Sequence, residues 1–214
     1  MISCVLFDFD GVIADTERSN GDYLAQALSF FGIPFTQEDR LSLIGTNGAG
    51  TLDRFLQRAD PPLTREQLAR VRERLGNTYE DSPLFPQPGL REWLRELGHQ
   101  GIRTGVVSST STKYIVTALN RMGFTGQFQV IVCGDMVKRP KPAPDSYQLA
   151  MSLLGLSPEE CLAIEDSPTG IQAARAAGLQ VGGYKGGSVE QDTRKAHWEV
   201  RSFQEIPSLP PFRG

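Results

Sequence analysis

Two aspartates near the start of the chain, Asp8 and Asp10, have the type and spacing of a catalytic or metal-binding pair. They follow the apolar run Cys4–Phe7 and precede Gly11, a pattern that predicts a short strand buried on both faces. Side chains two residues apart on an extended segment point to the same side, so both carboxylates face one site. A divalent cation would neutralise them, and a set of oxygen ligands favours Mg2+ over Zn2+.

The same Asp-x-Asp-Gly segment is also compatible with an ordinary turn, so this segment alone does not establish a functional site, and the other loops of the chain are needed as evidence. Three more predicted strands end in polar loops: strand 102–107 is followed by Ser108 and Ser109, strand 129–133 by Lys141 among three prolines, and strand 161–164 by Glu165 and Asp166. Each loop alone has a simple explanation as a helix cap or a linker. Together they combine metal ligands, hydroxyl donors for an anion and a cation that balances the charge.

The elements that would position these loops alternate along the second part of the chain. Strands are predicted at 102–107, 129–133, 161–164 and 180–184, and helices at 90–98, 112–122, 147–154 and 170–177. This alternation predicts an α/β fold with a parallel, Rossmann-like sheet and right-handed crossovers. Because the carboxyl ends of parallel strands share one edge, the four loops are expected to form one site.

The region between the first two predicted strands differs from the rest, because no segment from Asp15 to Pro83 has strand character. Helical periodicity there ends first at Gly32, and further helices are predicted at 50–58 and 64–80, the last with a capping box at Thr64. We therefore predict two domains: an α/β core of residues 1–14 and 87–214, and an all-α cap domain of residues 15–86.

The composition of the 214-residue chain argues against several classes of function. The net charge is −3 and no basic cluster occurs, which disfavours nucleic-acid binding. No leader and no apolar segment of membrane-spanning length is recognisable, so we expect a cytoplasmic protein without a membrane partner. Cys4, Cys133 and Cys161 are far apart and odd in number, which favours buried thiols in a reducing compartment over disulfides or metal ligands.

The four loops, in their order along the chain, resemble the four motifs of the haloacid dehalogenase-like (HAD) superfamily. The matching segments are Asp8-Phe-Asp10-Gly-Val, the hydroxyl of Ser108, Lys141-Pro-x-Pro-Asp, and Glu165-Asp166-Ser-x-x-Gly-Ile. Their spacing is similar to that of the β-phosphoglucomutase and sugar-phosphatase branch, in which a helical cap is inserted after the first motif. The resemblance covers nearly the whole chain.

This resemblance implies a phosphatase mechanism with an aspartyl-phosphate intermediate. Asp8 would be the nucleophile, and Asp10 the general acid and base. Mg2+ would be held by Asp8, the backbone carbonyl of Asp10 and Asp166, with Glu165 as an auxiliary ligand. The phosphate oxygens would be bound by Ser108, Ser109 and Lys141.

The resemblance also implies that the cap closes over the site and supplies contacts to the substrate. The candidates are Thr16, Glu17, Arg18, Asn20 and the loop Gly45, Thr46, Asn47 and Gly48, for which a flexible surface turn is the alternative. Mutases of this branch have a histidine and basic residues where this chain has Asn20, Ile44 and Gly48. A second phosphate would lack its cationic partners, so we expect hydrolysis of a small phosphomonoester such as a sugar phosphate.

Other interpretations stay open at this point. The first is a phosphosugar mutase, and a dehalogenase is disfavoured because it would not require Asp10. Cys133 and Arg139 have the C-x5-R spacing of cysteine phosphatases, but prolines follow instead of a helix that could bind phosphate. A HAD-like binding protein without catalysis is disfavoured by the joint presence of Asp8, Asp10, Lys141 and Asp166. No pattern indicates an oligomer, so a monomer is expected.

Overall fold

The centre of the protein is a six-stranded parallel sheet, seen in a computed structural model that describes residues 2–43 and 49–212. Its strands are β1 (Cys4–Phe7), β2 (Arg103–Val107), β3 (Val130–Val132), β4 (Cys161–Glu165), β5 (Gln180–Tyr184) and β6 (Trp198–Val200). They lie in the order β3-β2-β1-β4-β5-β6, and every neighbouring pair is parallel. The predicted α/β fold with a parallel, Rossmann-like sheet is confirmed.

Helices cover both faces of this sheet. The α-helices of the described residues are α1 (Glu17–Ser29), α2 (Gln37–Leu43), α3 (Ala49–Leu56), α4 (Arg65–Leu75), α5 (Thr78–Asp81), α6 (Leu90–His99), α7 (Thr112–Arg121), α8 (Asp145–Leu154) and α9 (Pro168–Ala176). The last four of them pack on the sheet. One apolar cluster joins the sheet to α6 and α7, and a second joins it to α8 and α9. Such a three-layer arrangement is the usual way to bury both faces of a parallel sheet.

Strand β1 contributes to both apolar layers. Val5 and Phe7 belong to the cluster of α6 and α7, whereas Cys4 and Leu6 belong to the cluster of α8 and α9. All four side chains are fully buried, and β1 pairs with β2 on one edge and with β4 on the other. The residues that follow β1 are therefore attached to a central, fully buried strand of the sheet.

Helices α1 to α5 lie between β1 and β2 in the chain and have an apolar cluster of their own. Its buried members include Leu24, Leu28, Phe55 and Leu68. As predicted, the described residues between 15 and 83 contain no strand. Ala14 and Pro86 form an isolated antiparallel bridge that brings the two ends of this helical segment together. The division into domains at these positions stays a prediction.

One predicted helix is wrong in its extent. The sequence predicts a single helix over residues 64–80, whereas α4 ends at Leu75 and α5 begins at Thr78. Gly76 has a φ of 87°, which a continuing helix does not allow. The side chain of Asn77 then caps α5, because its amide oxygen accepts hydrogen bonds from the backbone N–H groups of Tyr79 and Glu80. The capping box of Thr64 is present at the start of α4, as predicted.

The last strand is an element that the sequence does not reveal. β6 pairs in parallel with β5, with Trp198 beside Gly182 and Val200 beside Tyr184. Its three residues are too few to show an alternating pattern. The loop that leads to it, residues 185–197, starts at the same edge of the sheet as the predicted site, because it follows the carboxyl end of β5.

The three cysteines of the chain lie in the interior of the protein. Cys4, Cys133 and Cys161 are buried, as predicted, and their thiols are free. Cys4 and Cys161 lie side by side on β1 and β4. Among the residues that the structure describes, no helix has the length and apolar character needed to cross a bilayer.

Candidate active site

The carboxyl ends of β1 and β4 bring three acidic side chains together. Asp8 follows β1 directly, Glu165 is the last residue of β4, and Asp166 comes next. The strands are paired so that Phe7 lies beside Ile164, and the Asp8 N–H donates to the Ile164 carbonyl at 2.9 Å. One carboxylate oxygen from each acidic residue lies within 4.8 Å of the others, and all three residues are buried. The structure thus brings these residues together as the sequence predicts.

Lys141 lies in the middle of this acidic cluster. Its Nζ is 3.0 Å from Asp8 Oδ1 and 2.6 Å from Glu165 Oε1, and it donates to the Val107 carbonyl at 2.8 Å. Burial alone would lower the pKa of Lys141, but the two carboxylates raise it above its usual value, so the ammonium stays charged. Tyr147 Oη donates to the same Glu165 oxygen at 2.6 Å. In this structure Lys141 therefore contacts carboxylates, whereas its predicted contact with phosphate is untested.

The charge of the cluster fits a bound divalent cation. Asp8, Glu165 and Asp166 carry three negative charges when ionised, and Lys141 supplies one positive charge. Burial raises the pKa of both aspartates, with a further increase of the Asp8 pKa from the neighbouring Glu165. Asp166 Oδ1 is buried and has no hydrogen-bond partner among the described residues. A hard cation that takes oxygen ligands would satisfy this atom and offset the excess negative charge.

Gly11 lets the loop after β1 pass close to Asp166. Its φ of 82° lies in the left-handed region that favours glycine. A Cβ at this position would overlap the Asp166 carboxylate, so any other residue would displace a predicted metal ligand. The Gly11 N–H also donates to the Ala14 carbonyl at 2.8 Å, which closes the turn after Asp10.

Asp10 is held by hydroxyl groups from two parts of the chain. Its Oδ1 accepts hydrogen bonds from Thr16 Oγ1 at 2.5 Å and from Tyr79 Oη at 2.8 Å. Its Oδ2 accepts one from Thr110 Oγ1 at 2.9 Å. Thr16 and Tyr79 come from the helical segment, and Thr110 comes from the loop after β2. The orientation of the Asp10 carboxylate therefore depends on both parts of the protein.

Tyr79 connects α5 to the rest of the structure. Its ring stacks on that of Tyr114 in α7 with centroids 5.5 Å apart, and its carbonyl accepts a hydrogen bond from Arg121 Nη1 at 2.8 Å. Its hydroxyl also accepts one from Asn20 Nδ2 at 3.2 Å. Burial and the charge of Asp10 raise the pKa of Tyr79 well above its usual value. The hydroxyl therefore stays neutral and available as a donor to Asp10.

A cavity of about 190 Å³ opens beside the acidic cluster. It is lined by six of the predicted site residues, Asp8, Asp10, Glu17, Asn20, Ser109 and Asp166. Ser108 is buried within its loop, where its Oγ accepts a hydrogen bond from the Thr110 N–H at 3.0 Å. A volume of this size suits a small polar molecule.

The cap candidates are placed differently from one another. Thr16 contacts Asp10, and Glu17 and Asn20 line the cavity. Arg18 is exposed, and its guanidinium donates to the Ser188 carbonyl at 3.4 Å. The remaining candidates, Gly45, Thr46, Asn47 and Gly48, lie outside the described residues, as does Ile44.

The carboxyl group of Glu17, in the first turn of α1, has a raised pKa. Burial, together with the charges of Asp10 and Asp15, raises its pKa from 4.5 to about 7. Between pH 4.5 and about pH 7, Glu17 is therefore largely protonated in the folded protein and largely ionised in the unfolded chain. By linkage, the contribution of Glu17 to stability falls as the pH rises from about 4.5 to about 7.

Replacing Glu17 by glutamine should remove this pH dependence. We expect the free energy of unfolding of the Glu17→Gln variant, minus that of the wild type, to increase between pH 5 and pH 8, because glutamine cannot lose a proton. Denaturant unfolding of both proteins in metal-free buffer at the two pH values measures the difference. A difference that stays constant would show that the Glu17 pKa is ordinary.

The arrangement at this sheet edge can be compared with known proteins. Residues 5–184 match the haloacid dehalogenase-like hydrolase family. The chain belongs to this family. The HAD assignment that the four motifs predict is confirmed, and the match includes the helical segment between β1 and β2.

Several known proteins are similar to this chain over most of its length. Protein CbbY of Cereibacter sphaeroides is 36% identical over 191 residues, which cover 84% of this chain and 83% of CbbY. Fructose-1-phosphate phosphatase YqaB of Escherichia coli is 33% identical over 184 residues, covering 82% of this chain and 92% of YqaB. The crystal structure of CbbY from Rhodobacter sphaeroides in complex with phosphate has a TM-score of 0.83 at 31% identity, with 96% of both chains covered.

The structure of this HAD protein argues against a cysteine nucleophile. Cys133 is fully buried, and burial raises the pKa of its thiol to about 11. Arg139 forms an ion pair with Asp145 at 2.7 Å. The residues after Cys133 form the 3-10 turn Gly134–Met136, and not a helix N-terminus that could bind a phosphate.

Among the partners of the acidic residues, Tyr79, Tyr147 and Gln191 are not found by sequence reasoning, and Thr110 is found only as a member of a hydroxyl-rich loop. Thr110 lies in the hydroxyl-rich loop after β2, which is a usable signal. Tyr79 is 69 residues from Asp10, and Gln191 is 25 residues from Asp166, to which its amide donates. Contacts at such separations leave no local pattern in the chain.

Proposed function

We propose that this protein is a Mg2+-dependent phosphatase that hydrolyses a small phosphomonoester, a sugar phosphate, through an aspartyl-phosphate intermediate. The observation that carries the proposal is the meeting of Asp8, Asp10 and Asp166 around one cavity at the carboxyl edge of the sheet, with Lys141 bound to Asp8. The names of two relatives support it, because YqaB is a fructose-1-phosphate phosphatase and CbbY was crystallised with phosphate.

The residues proposed to hold Mg2+ are Asp8, Asp166 and the backbone carbonyl of Asp10, with Glu165 as an auxiliary ligand. The free Asp166 Oδ1 and the excess of buried negative charge support this set. Glu165 already accepts hydrogen bonds from Lys141 and Tyr147, which favours a supporting role for it. When bound, Mg2+ reduces the repulsion between the nucleophile and the phosphate.

In the first step, an Asp8 carboxylate oxygen attacks phosphorus as the bond to the leaving oxygen breaks. Protonated Asp10 gives its proton to that oxygen, so the alcohol leaves neutral. In the second step, Asp10 takes a proton from water, which attacks the aspartyl-phosphate and releases phosphate and the Asp8 carboxylate. Lys141 orients Asp8 and offsets charge through its contacts with Asp8 and Glu165. We assign phosphate binding to Ser108, Ser109 and Lys141, with Lys141 acting through its positive charge.

The cavity is expected to select the alcohol part of the substrate. Glu17 and Asn20 line it, and carboxylate and amide groups suit the hydroxyl groups of a sugar. Thr16 contacts Asp10, so we place it at the same end of the substrate. The resemblance to the mutase branch implies that mutases have a histidine at the position of Asn20, which donates to Tyr79 here. A neutral amide at this position favours hydrolysis over transfer between two phosphate positions.

Phosphate release from a panel of sugar phosphates, nucleotides and other phosphomonoesters tests the proposal. We expect release with at least one sugar phosphate, a fall to background when EDTA removes the metal, and recovery when Mg2+ is added back. The panel includes fructose 1-phosphate, and also β-glucose 1-phosphate with and without a bisphosphate primer.

Three outcomes of this panel would contradict the proposal in different ways. Conversion of β-glucose 1-phosphate to the 6-phosphate without phosphate release would assign a mutase. Phosphate release that EDTA does not affect would exclude the metal from the reaction. No metal-dependent turnover of any substrate would favour a HAD-like binding protein without catalysis.

A further inference from the structure

The loop from residue 185 to 197, between β5 and β6, is attached both to the helical segment and to the acidic cluster. Near its start, the Ser188 N–H and Oγ–H donate to the two carboxylate oxygens of Asp15, at 3.0 and 2.8 Å. Three residues later, the Gln191 side chain turns inward and is nine-tenths buried. None of the four motifs includes this loop.

Gln191 holds one oxygen of a proposed metal ligand. Its Nε2 donates to Asp166 Oδ2 at 2.9 Å. An ionised carboxylate, the form that binds a metal ion, can only accept hydrogen bonds, so the amide nitrogen and not the amide oxygen has to face Asp166. The other oxygen of the same carboxylate, Oδ1, has no partner among the described residues. The hydrogen bond thus fixes the rotation of the carboxylate and leaves one oxygen available.

The amide oxygen of Gln191, Oε1, is buried and lacks a hydrogen-bond donor among the described residues. Gln191 lines the same cavity as Asp8, Asp10 and Asp166. A buried acceptor without a partner is costly unless a donor is supplied. Mg2+ in proteins usually keeps several of its waters, and a coordinated water is a suitable donor for such an acceptor.

We propose that Gln191 is a positioning residue for Mg2+, which holds the Asp166 carboxylate in the orientation that binds the ion. This inference rests on the proposed function, because it needs Asp166 to be a metal ligand. Partners of metal ligands in general change metal affinity by roughly 10- to 100-fold when they are removed. A merely structural role for Gln191, pinning the loop to the core, would leave the affinity for Mg2+ unchanged.

The dissociation constant of Mg2+, measured by calorimetry on the metal-free protein without substrate, tests the proposal. The Gln191→Met variant keeps the length of the side chain and removes its donor and acceptor. We expect its dissociation constant for Mg2+ to be roughly tenfold higher than that of the wild type. In phosphatase assays, the Mg2+ concentration for half-maximal activity should rise by a similar factor, and a large excess of Mg2+ should restore most of kcat.

The matched control is Ser188→Ala, which loosens the same loop from Asp15 but leaves the contact with Asp166. Its dissociation constant for Mg2+ should equal that of the wild type. If Gln191→Met does not fold, Gln191→Ala is measured in the same way, because alanine adds no apolar group beside the carboxylates.

The possible failures can be separated. A wild-type protein that binds no Mg2+ would overturn the proposed function itself. A wild type that binds Mg2+, with a folded Gln191 variant of unchanged dissociation constant, would overturn only the role of Gln191. An equal loss of affinity in Ser188→Ala would also overturn it, because the effect would then belong to the loop as a whole.

Discussion

The Asp8→Asn variant is expected to lose phosphatase activity by a factor of at least about 10³ while keeping its fold. An amide oxygen is a poor nucleophile toward phosphorus, and the variant also loses one anionic ligand of the proposed metal site. The fold should persist because asparagine has nearly the same shape, and its oxygen can still accept the hydrogen bond that Lys141 donates to Asp8. Initial rates of phosphate release on the best substrate, with circular dichroism of the same samples, measure both effects.

A surface aspartate provides the control for this substitution. Asp53 in α3 is half exposed and forms an ion pair with Arg65, away from the cavity. The Asp53→Asn variant should therefore keep its activity within about twofold, since most surface changes have small effects. Substantial turnover by a folded Asp8→Asn protein would mean that Asp8 is not the nucleophile.

The second large effect is expected for Lys141→Met, which removes the positive charge buried against Asp8 and Glu165. Methionine has a similar length but cannot donate, so both carboxylates lose a partner in a buried site. Breaking a buried ion pair in this way typically costs about 3–5 kcal/mol. We expect a decrease of that size in the free energy of unfolding, together with loss of activity. The decrease should be larger at pH 8 than at pH 5, because burial raises the pKa of Asp8 to about 8, so the Asp8 carboxyl is largely protonated at pH 5 and loses less when the lysine charge is removed.

Lys113→Met is the matched control, because Lys113 is an exposed lysine whose ion pair with Glu80 lies at the surface. Denaturant unfolding of both variants, with EDTA and with Mg2+, gives the comparison. We expect no measurable change for Lys113→Met, in line with the small contribution of exposed ion pairs. If Lys141→Met were as stable as the wild type at pH 8, the acidic cluster would have to be balanced by something other than Lys141.

The convergence of the acidic cluster could be predicted because its information is local. An apolar run identifies each strand, and the polar residue after it falls at the strand end whatever the details of packing. Asp8 and Asp166 come together because β1 and β4 are parallel neighbours in register. The order of strands in the sheet was not needed for this prediction, since all carboxyl ends share one edge.

The partners of the acidic residues could not be predicted, because they depend on how distant segments pack. Tyr79 reaches Asp10 because helix α4 ends before Gly76 and a new helix, α5, begins at Thr78, whereas the sequence predicts one continuous helix there. Gln191 reaches Asp166 from a loop with no periodic pattern, ahead of a strand of three residues. In both cases a short irregular segment, and not a regular element, places the side chain.

The hydroxyl groups around Asp10 limit how freely this protein could be recombined with its relatives. Thr16 and Tyr79 stand near opposite ends of the helical segment, and Thr110 belongs to the sheet edge. A chimera that exchanged residues 15–86 for the helices of another HAD protein would import new donors, or none, at Asp10, the proposed general acid. Substrate range could therefore not be transplanted with those helices alone. A functional hybrid would have to inherit matching donors at both junctions.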